Sequence, residues 1–226
     1  MNVNLKQRFQ EILKDHQVLE AEPMSRHTTF RIGGPADLFL VPECAQEIEK
    51  IISVCKEEKV PYFILGNGSN LLVSDKGYPG VVVQLYRGFG QITVEGNEIH
   101  AQAGALLSGI AAAAREASLT GFEFAGGIPG TLGGAVVMNA GAYGGEISGN
   151  ILWAELMDET GAILKLEKEH LKLSYRHSVM MEHPLVVLRA GFSFKKGDAA
   201  AISDRVTELS RLRRDFLSTL FCKNFG

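Results

Sequence analysis

Cysteine is scarce and unpatterned. Cys44, Cys55 and Cys222 form neither an even set nor a CxxC pair, which leaves no disulfide framework and no thiol-rich metal knuckle. The histidines at 16, 27, 100, 170, 177 and 183 show no HxxxH spacing and no pairing with cysteine, so no metal is expected. Positive charge is not in excess: 23 basic residues face 26 acidic ones, for a formal charge of −3. That balance lacks the basic footprint of a nucleic-acid binder. Long apolar runs are missing as well. The longest uncharged stretch, Phe124 to Gly145, is crowded with glycine and broken by Pro129, which does not suit a membrane span. The opening residues, MNVNLKQRFQEILKDH, contain no apolar signal-peptide core. The expected compartment is cytoplasmic, with neither membrane nor nucleic acid as partner.

What is present describes a globular chain. Its 226 residues are 46% hydrophobic and 22% charged, enough for one large domain or two modest ones. Helical spacing of Leu5, Phe9, Ile12 and Leu13 predicts a helix over residues 4–15. A short strand, Asp37 to Val41, precedes a helix whose stripe is Ala45, Ile48, Ile51, Ile52 and Cys55. Apolar runs at Val60 to Leu65 and Val81 to Leu85 read as buried strands, giving a βαβ-type unit. Two hairpins are expected later, over 92–102 around Glu-Gly-Asn and over 152–167 around Asp-Glu-Thr-Gly. Helices at 105–117 and 200–214 and a strand at 185–194 complete an α+β order.

Three segments could carry chemistry. Gly66, Asn67, Gly68, Ser69 and Asn70 follow directly on a strand. Two glycines flanking Asn67 permit a turn that aims backbone N–H groups into one concavity, which suits a phosphate; a plain tight turn is the other reading. Leu71 stands where a third glycine of a dinucleotide fingerprint would be, and no P-loop Lys-Ser/Thr pair follows. The second segment, residues 126–145, is too uncharged for a flexible linker. Its glycines instead suit close approach of backbone to a large flat or anionic ligand, with Thr131 and Asn139 as polar groups to orient it. The third is Tyr175-Arg176-His177-Ser178, where Arg176 offers a planar donor fork for a carboxylate or phosphate. No GxSxG elbow occurs, and Arg211, Arg213 and Arg214 read as a solvated helix face.

Taken in order, TTFRIGGPA (28–36), LGNGSNLLV (65–73), GIPGTLGGA (127–135), MNAGAYG (138–144) and YRHS (175–178) closely resemble the bacterial UDP-N-acetylenolpyruvoylglucosamine reductase family. The likeness runs from about residue 18 to about residue 214. It implies a two-subdomain FAD-binding fold of the vanillyl-alcohol-oxidase (PCMH) type. It also implies non-covalent FAD, NADPH as hydride donor, a UDP-sugar substrate, and reduction of an enolpyruvyl ether to UDP-N-acetylmuramate for peptidoglycan. By the family pattern Gly66 to Asn70 would hold the FAD pyrophosphate. Gly126, Ile128, Pro129, Gly130, Thr131, Gly133, Gly134, Asn139 and Gly141 would line the cofactor, Arg176 would polarise the substrate carboxylate, and Tyr175 and Ser178 would contact substrate.

The implied division is a leader with the N-terminal helix (1–22), a first FAD-binding subdomain (23–88), a second (89–198), and the start of a substrate domain with an atypical tail (199–226). Family members continue into that third domain, which carries a catalytic serine in an AlaGlySer-type motif and a late glutamate. The residues after Arg214 match neither, so no proton donor is assigned and the chain as given is expected not to complete the reaction. Phe216, Leu217, Leu220, Phe221 and Phe225 are expected to form an exposed apolar patch. Beside the reductase stands a second reading, a flavin-binding module derived from it.

Overall fold

The computed structural model describes the backbone of residues 3–224 and the side chains of residues 5–215. The tail residues Phe216, Leu217, Leu220, Phe221 and Phe225 lie outside the described side chains.

Helix α1 (Val3–Gln10) leads into β1 (Val18–Pro23), β2 (Pro35–Leu40), α2 (Ala45–Glu57), β3 (Tyr62–Leu65) and β4 (Tyr78–Gln84). The hairpin β5 (Ile92–Glu95) and β6 (Glu98–Gln102) precedes α3 (Leu107–Glu116) and the short β7 (Leu119–Thr120). Then come α4 (Leu132–Val137), the small hairpin β8 (Gly141–Ala142) and β9 (Gly145–Glu146), and the hairpin β10 (Ile151–Met157) and β11 (Ile163–Glu167). Last are β12 (Val186–Ser193), β13 (Lys195–Lys196) and α5 (Ala199–Asn224).

Two sheets organise these elements. The first has strand order β1-β2-β4-β3, with β4 parallel to both neighbours and β1 antiparallel at the edge. The second is wholly antiparallel, in the order β11-β10-β12-β6-β5. The βαβ unit is present but split, because β4 inserts between β2 and β3. The reason is burial: Val81, Val82 and Val83 are all at or below 1% exposure, so their apolar run demands cover on both faces, which a central strand receives. One large core joins both sheets through α2, α3 and the Phe122, Phe124 and Phe192 cluster. A smaller core of Met24, Ala36, Phe39, Leu65 and Val82 fills the other face of the first sheet.

The first helix is shorter than its stripe suggests. It stops at Gln10, and by Lys14 the chain is extended (φ −69°, ψ 152°), held there by the buried Gln17. The Gln17 amide accepts from Lys14 N (2.8 Å) and donates to Val41 O (2.9 Å), tying the turn to the end of β2. Leu13 still reaches the core. β1 begins at Val18, so residues 18–22 pair with β2 in the first sheet.

Candidate functional site: a cavity between two glycine-rich segments

The segment after β3 is shaped from behind by packing. Gly68 has φ +62°, and a Cβ there would sit 1.9 Å from His27 O, so backbone of the 27–29 segment occupies the side-chain space. Thr29 N donates to Gly68 O (3.1 Å), and the side chain of Gln84 donates to Gly66 O (3.1 Å). The carbonyls are thus turned back into the protein. Among the described residues, the backbone N–H groups of residues 67–70 donate to no protein acceptor, while Leu71 closes a turn over Ser69 and Asn70. Such a run of free donors in a left-handed turn is an anion-binding nest. Asn67 Nδ2 donates to Pro129 O (3.2 Å), joining this loop to the second glycine-rich segment.

In that second segment Gly130 N donates to Ile128 O (2.9 Å), closing a tight turn around Pro129, and Thr131 begins α4. Leu107 N donates to Gly130 O, while Leu132 N and Gly133 N donate to Ala105 O and Ala103 O (both 2.8 Å). These bonds hold the start of α4 against the end of β6. A Cβ on Gly133 would meet Ala103 Cβ at 3.1 Å, so that glycine lets helix and strand approach. Gly134 differs: a Cβ there would meet nothing within 4 Å and would project into open space.

Between the two segments lies a cavity of about 760 Å³. Its wall includes Gly66, Asn67, Gly68, Ser69, Asn70, Ile128, Pro129, Gly130, Thr131, Gly133, Gly134, Gly141 and Arg176, all anticipated from sequence. Leu85, Leu107, Val137 and Leu185 to Val187 add apolar surface. Among the described residues the wall carries two cations, Arg176 and Arg213, and no carboxylate. An apolar pocket with a few convergent positive and N–H groups suits an aromatic ligand bearing phosphates.

Four anticipated residues stand elsewhere. Gly126 lines a separate, smaller cavity between α3 and α5. Asn139 is buried, and its amide is consumed by Glu146, Ser174 and Ser148 rather than facing the cavity. Ser178 is buried too and donates to Val137 O (2.7 Å). Tyr175 is 83% exposed, its ring beside the Arg176 guanidinium (5.6 Å). Arg176 itself donates from Nη2 to Gly141 O (3.1 Å) at the rim. His177 contacts Glu182 (3.0 Å), and Lys172 Nζ donates to the same carboxylate (3.2 Å). Lys172 first, then His177, holds the Glu182 carboxyl below its ordinary range.

Arg213 was missed. It is no solvated arginine: its guanidinium packs against Gly127, where Nη1 lies 2.9 Å from the place of a Cβ. The signal was there, since Arg213 lies four residues after the buried Leu209 and seven after the half-buried Val206, on the inward face of α5. Among the described residues no cluster of His, Cys, Asp or Glu could hold a metal ion, and no helix is long and apolar enough to cross a membrane.

Residues 36–167, which include most of this cavity wall, match the FAD binding domain family. The reductase named UDP-N-acetylenolpyruvoylglucosamine reductase from Clostridium botulinum (strain Eklund 17B / Type B) is 49% identical over 214 residues, covering 95% of this chain and 70% of that protein. Its namesake from Caldanaerobacter subterraneus is 49% identical over 208 residues, covering 92% and 68%. The chain belongs to the UDP-N-acetylenolpyruvoylglucosamine reductase family. The crystal structure of the family member from Thermus caldophilus superposes with a TM-score of 0.72 at 32% identity, over 87% of this chain and 68% of that one. p-Cresol methylhydroxylase shares the fold alone (TM-score 0.65, 15% identity, 86% and 43% covered), which makes this the two-subdomain α+β FAD fold.

The residues fit the cofactor. Residues 67–70, whose N–H groups have no protein acceptor, line the cavity, no carboxylate of the described residues lines it to repel a diphosphate, and Gly134 leaves open the space a side chain would fill. As an FAD-dependent oxidoreductase of this family, the chain has a cradle to match.

Proposed function

We propose that the chain supplies the flavin and the carboxylate-binding arginine of an enzyme that, with FAD bound non-covalently and NADPH as hydride donor, reduces UDP-N-acetylglucosamine enolpyruvate to UDP-N-acetylmuramate in peptidoglycan precursor synthesis, the proton donor being assigned to no residue of this chain. The observation that carries this reading is the cavity wall: two arginines and a run of unpaired N–H groups, with no opposing carboxylate. Bound FAD supplies hydride chemistry that side chains cannot. The chain's own residues bind and orient. Residues 67–70 would hold the diphosphate through backbone N–H groups, and Ile128 to Thr131 with Gly133 and Gly134 would form a wall for the cofactor. Arg176 takes the substrate carboxylate in its planar fork and stabilises the negative charge that would spread into it as hydride adds to the far, methylene carbon of the enolpyruvyl double bond, the carbon beside the carboxylate then taking a proton. Arg213, across the cavity, offers a second anchor for substrate phosphate. Residues 23–88 and 89–198 act as the two FAD-binding subdomains, with the cofactor in the cleft between them.

The curated relatives span more than this chain, which covers about 70% of the first of them. The test is anaerobic. The yellow FAD-loaded protein should bleach on adding NADPH and recolour on adding the enolpyruvyl substrate faster than in buffer. Bleaching without substrate-dependent recolouring counts against the substrate; no bleaching counts against NADPH.

A further inference from the structure

Two neighbouring residues hold left-handed backbone conformations that side chains rarely adopt: Asn139 (φ +41°) and Arg176 (φ +54°). Such outliers persist only where their surroundings impose them. Here the surroundings are one network. Asn139 Nδ2 donates to Glu146 Oε2 (2.9 Å) and to Ser174 O (3.0 Å), and its Oδ1 accepts from Ser148 N (2.9 Å). Ser174 in turn pairs with His177 through both backbone N–H groups (3.1 Å each), closing a two-residue turn with Arg176 in it. Two further bonds cross between the same stretches, Ser178 Oγ to Val137 O and Arg176 Nη2 to Gly141 O.

Of the side chains that tie these stretches together, Asn139 and Ser178 have no surface of their own (2% and 0% exposed), and Asn139 is the one bonded directly to the Ser174–His177 turn. Its amide therefore acts on the protein rather than on a ligand. Arg176, by contrast, is exposed and lines the cavity. A long flexible arginine on an exposed turn loses much rotamer freedom when it binds, unless its base is already fixed.

Building on the reading of Arg176 as the carboxylate-binding group, we propose that Asn139 is a positioning residue for Arg176. Its amide ties the Ser174–His177 turn to the residue 139–148 segment and fixes the base from which the guanidinium reaches the cavity.

The experiment uses the full FAD-loaded chain. Asn139→Gly keeps the left-handed backbone without steric cost and removes only the amide; Asn139→Asp keeps the acceptor for Ser148, removes both donors and sets a carboxylate against Glu146. Both should bind FAD as the parent does. Trypsin cuts after Arg176, and that cut should come about fivefold faster in Asn139→Gly, the worth of one net hydrogen bond in local opening, and faster still in Asn139→Asp. This arm decides without turnover.

A second readout separates positioning from mere structure. Reoxidation of reduced flavin by the enolpyruvyl substrate should slow by about 10²-fold in Asn139→Gly. The same change added to Arg176→Ala should cost nothing more, because the two act as a unit. Parent-like cleavage in both variants, loss of FAD, or rate losses that simply multiply would each overturn the role. A parent-like rate in Arg176→Ala would instead overturn the reading of Arg176, and the positioning role with it.

Discussion

Thr131 Oγ1 stands 2.1 Å from the place a Cβ on Gly66 would take, so the two glycine-rich segments meet where one has no side chain and the other a hydroxyl. Thr131 is buried and opens α4, so it cannot move aside. Gly66→Ala should therefore destabilise the fold by about 1–3 kcal/mol as an overpacking change and lower FAD affinity with it. Adding Thr131→Ala should recover part of both losses, because the next atom, Thr131 Cβ, is a tolerable 3.4 Å away. Thermal melts and FAD titration of the two variants check this; no recovery in the double variant would mean that the contact is not what excludes the methyl.

Gly68→Val should abolish flavin binding. A β-branched residue at φ +62° is strained, and its Cβ would overlap the His27 carbonyl at 1.9 Å. The loop would have to leave the nest conformation. Flavin content after purification reads the outcome, and a full complement in the variant would reduce the loop to an ordinary turn.

Arg176→Lys should leave FAD content intact and slow flavin reoxidation by the enolpyruvyl substrate. Lysine keeps the charge but not the planar fork, and its donors all sit on one nitrogen, without the spacing that lets a guanidinium hold Gly141 O and a carboxylate together. Stopped-flow reoxidation of variant and parent is the measurement. Equal rates would remove the fork from the mechanism.

Cys55 is predicted to be inert. It is buried on the inner face of α2, and burial pushes its thiol up to about 12. A raised thiol pKa in the folded state means that the native protein holds its proton longer than the unfolded chain does. This contribution to stability is complete below about pH 9 and is lost as pH rises through about 12. A thiol reagent at pH 8 should leave Cys55 unmodified until denaturant is added; prompt labelling of Cys55 in the native protein would contradict its burial.

Much of this was written in the sequence, for identifiable reasons. The Glu95-Gly96-Asn97 signal produced its hairpin because Gly96 supplies the positive φ (+63°) the turn needs. The strand-then-glycine pattern at 60–70 placed a loop at the cavity because an apolar run must be buried and its glycine-rich exit must turn. Residue type could not say which way a polar side chain faces. Asn139 and Ser178 look like ligand contacts in a motif, yet both are satisfied by main chain of neighbouring segments, contacts spanning up to 41 residues. Likewise β4 between β2 and β3 is a long-range choice that local periodicity does not encode. The tight end of α1 depends on Gln17 reaching Val41, which is equally non-local.

The central claim is that FAD occupies the cavity between residues 66–70 and 128–134, and Gly134 offers the cleanest way to test it. Gly134 lines the cavity, and a Cβ there would meet no atom of another segment within 4 Å. Gly134→Leu should thus cost the fold nothing, and can gain about 0.5–1 kcal/mol of helix propensity in α4. The measurement is a titration of FAD, followed by its fluorescence, into flavin-stripped parent and variant whose melting temperatures have been compared. The account predicts a parent that saturates with flavin and a variant at least as heat-stable that binds none. A Gly134→Leu protein that saturates at the same FAD concentration as the parent would contradict it.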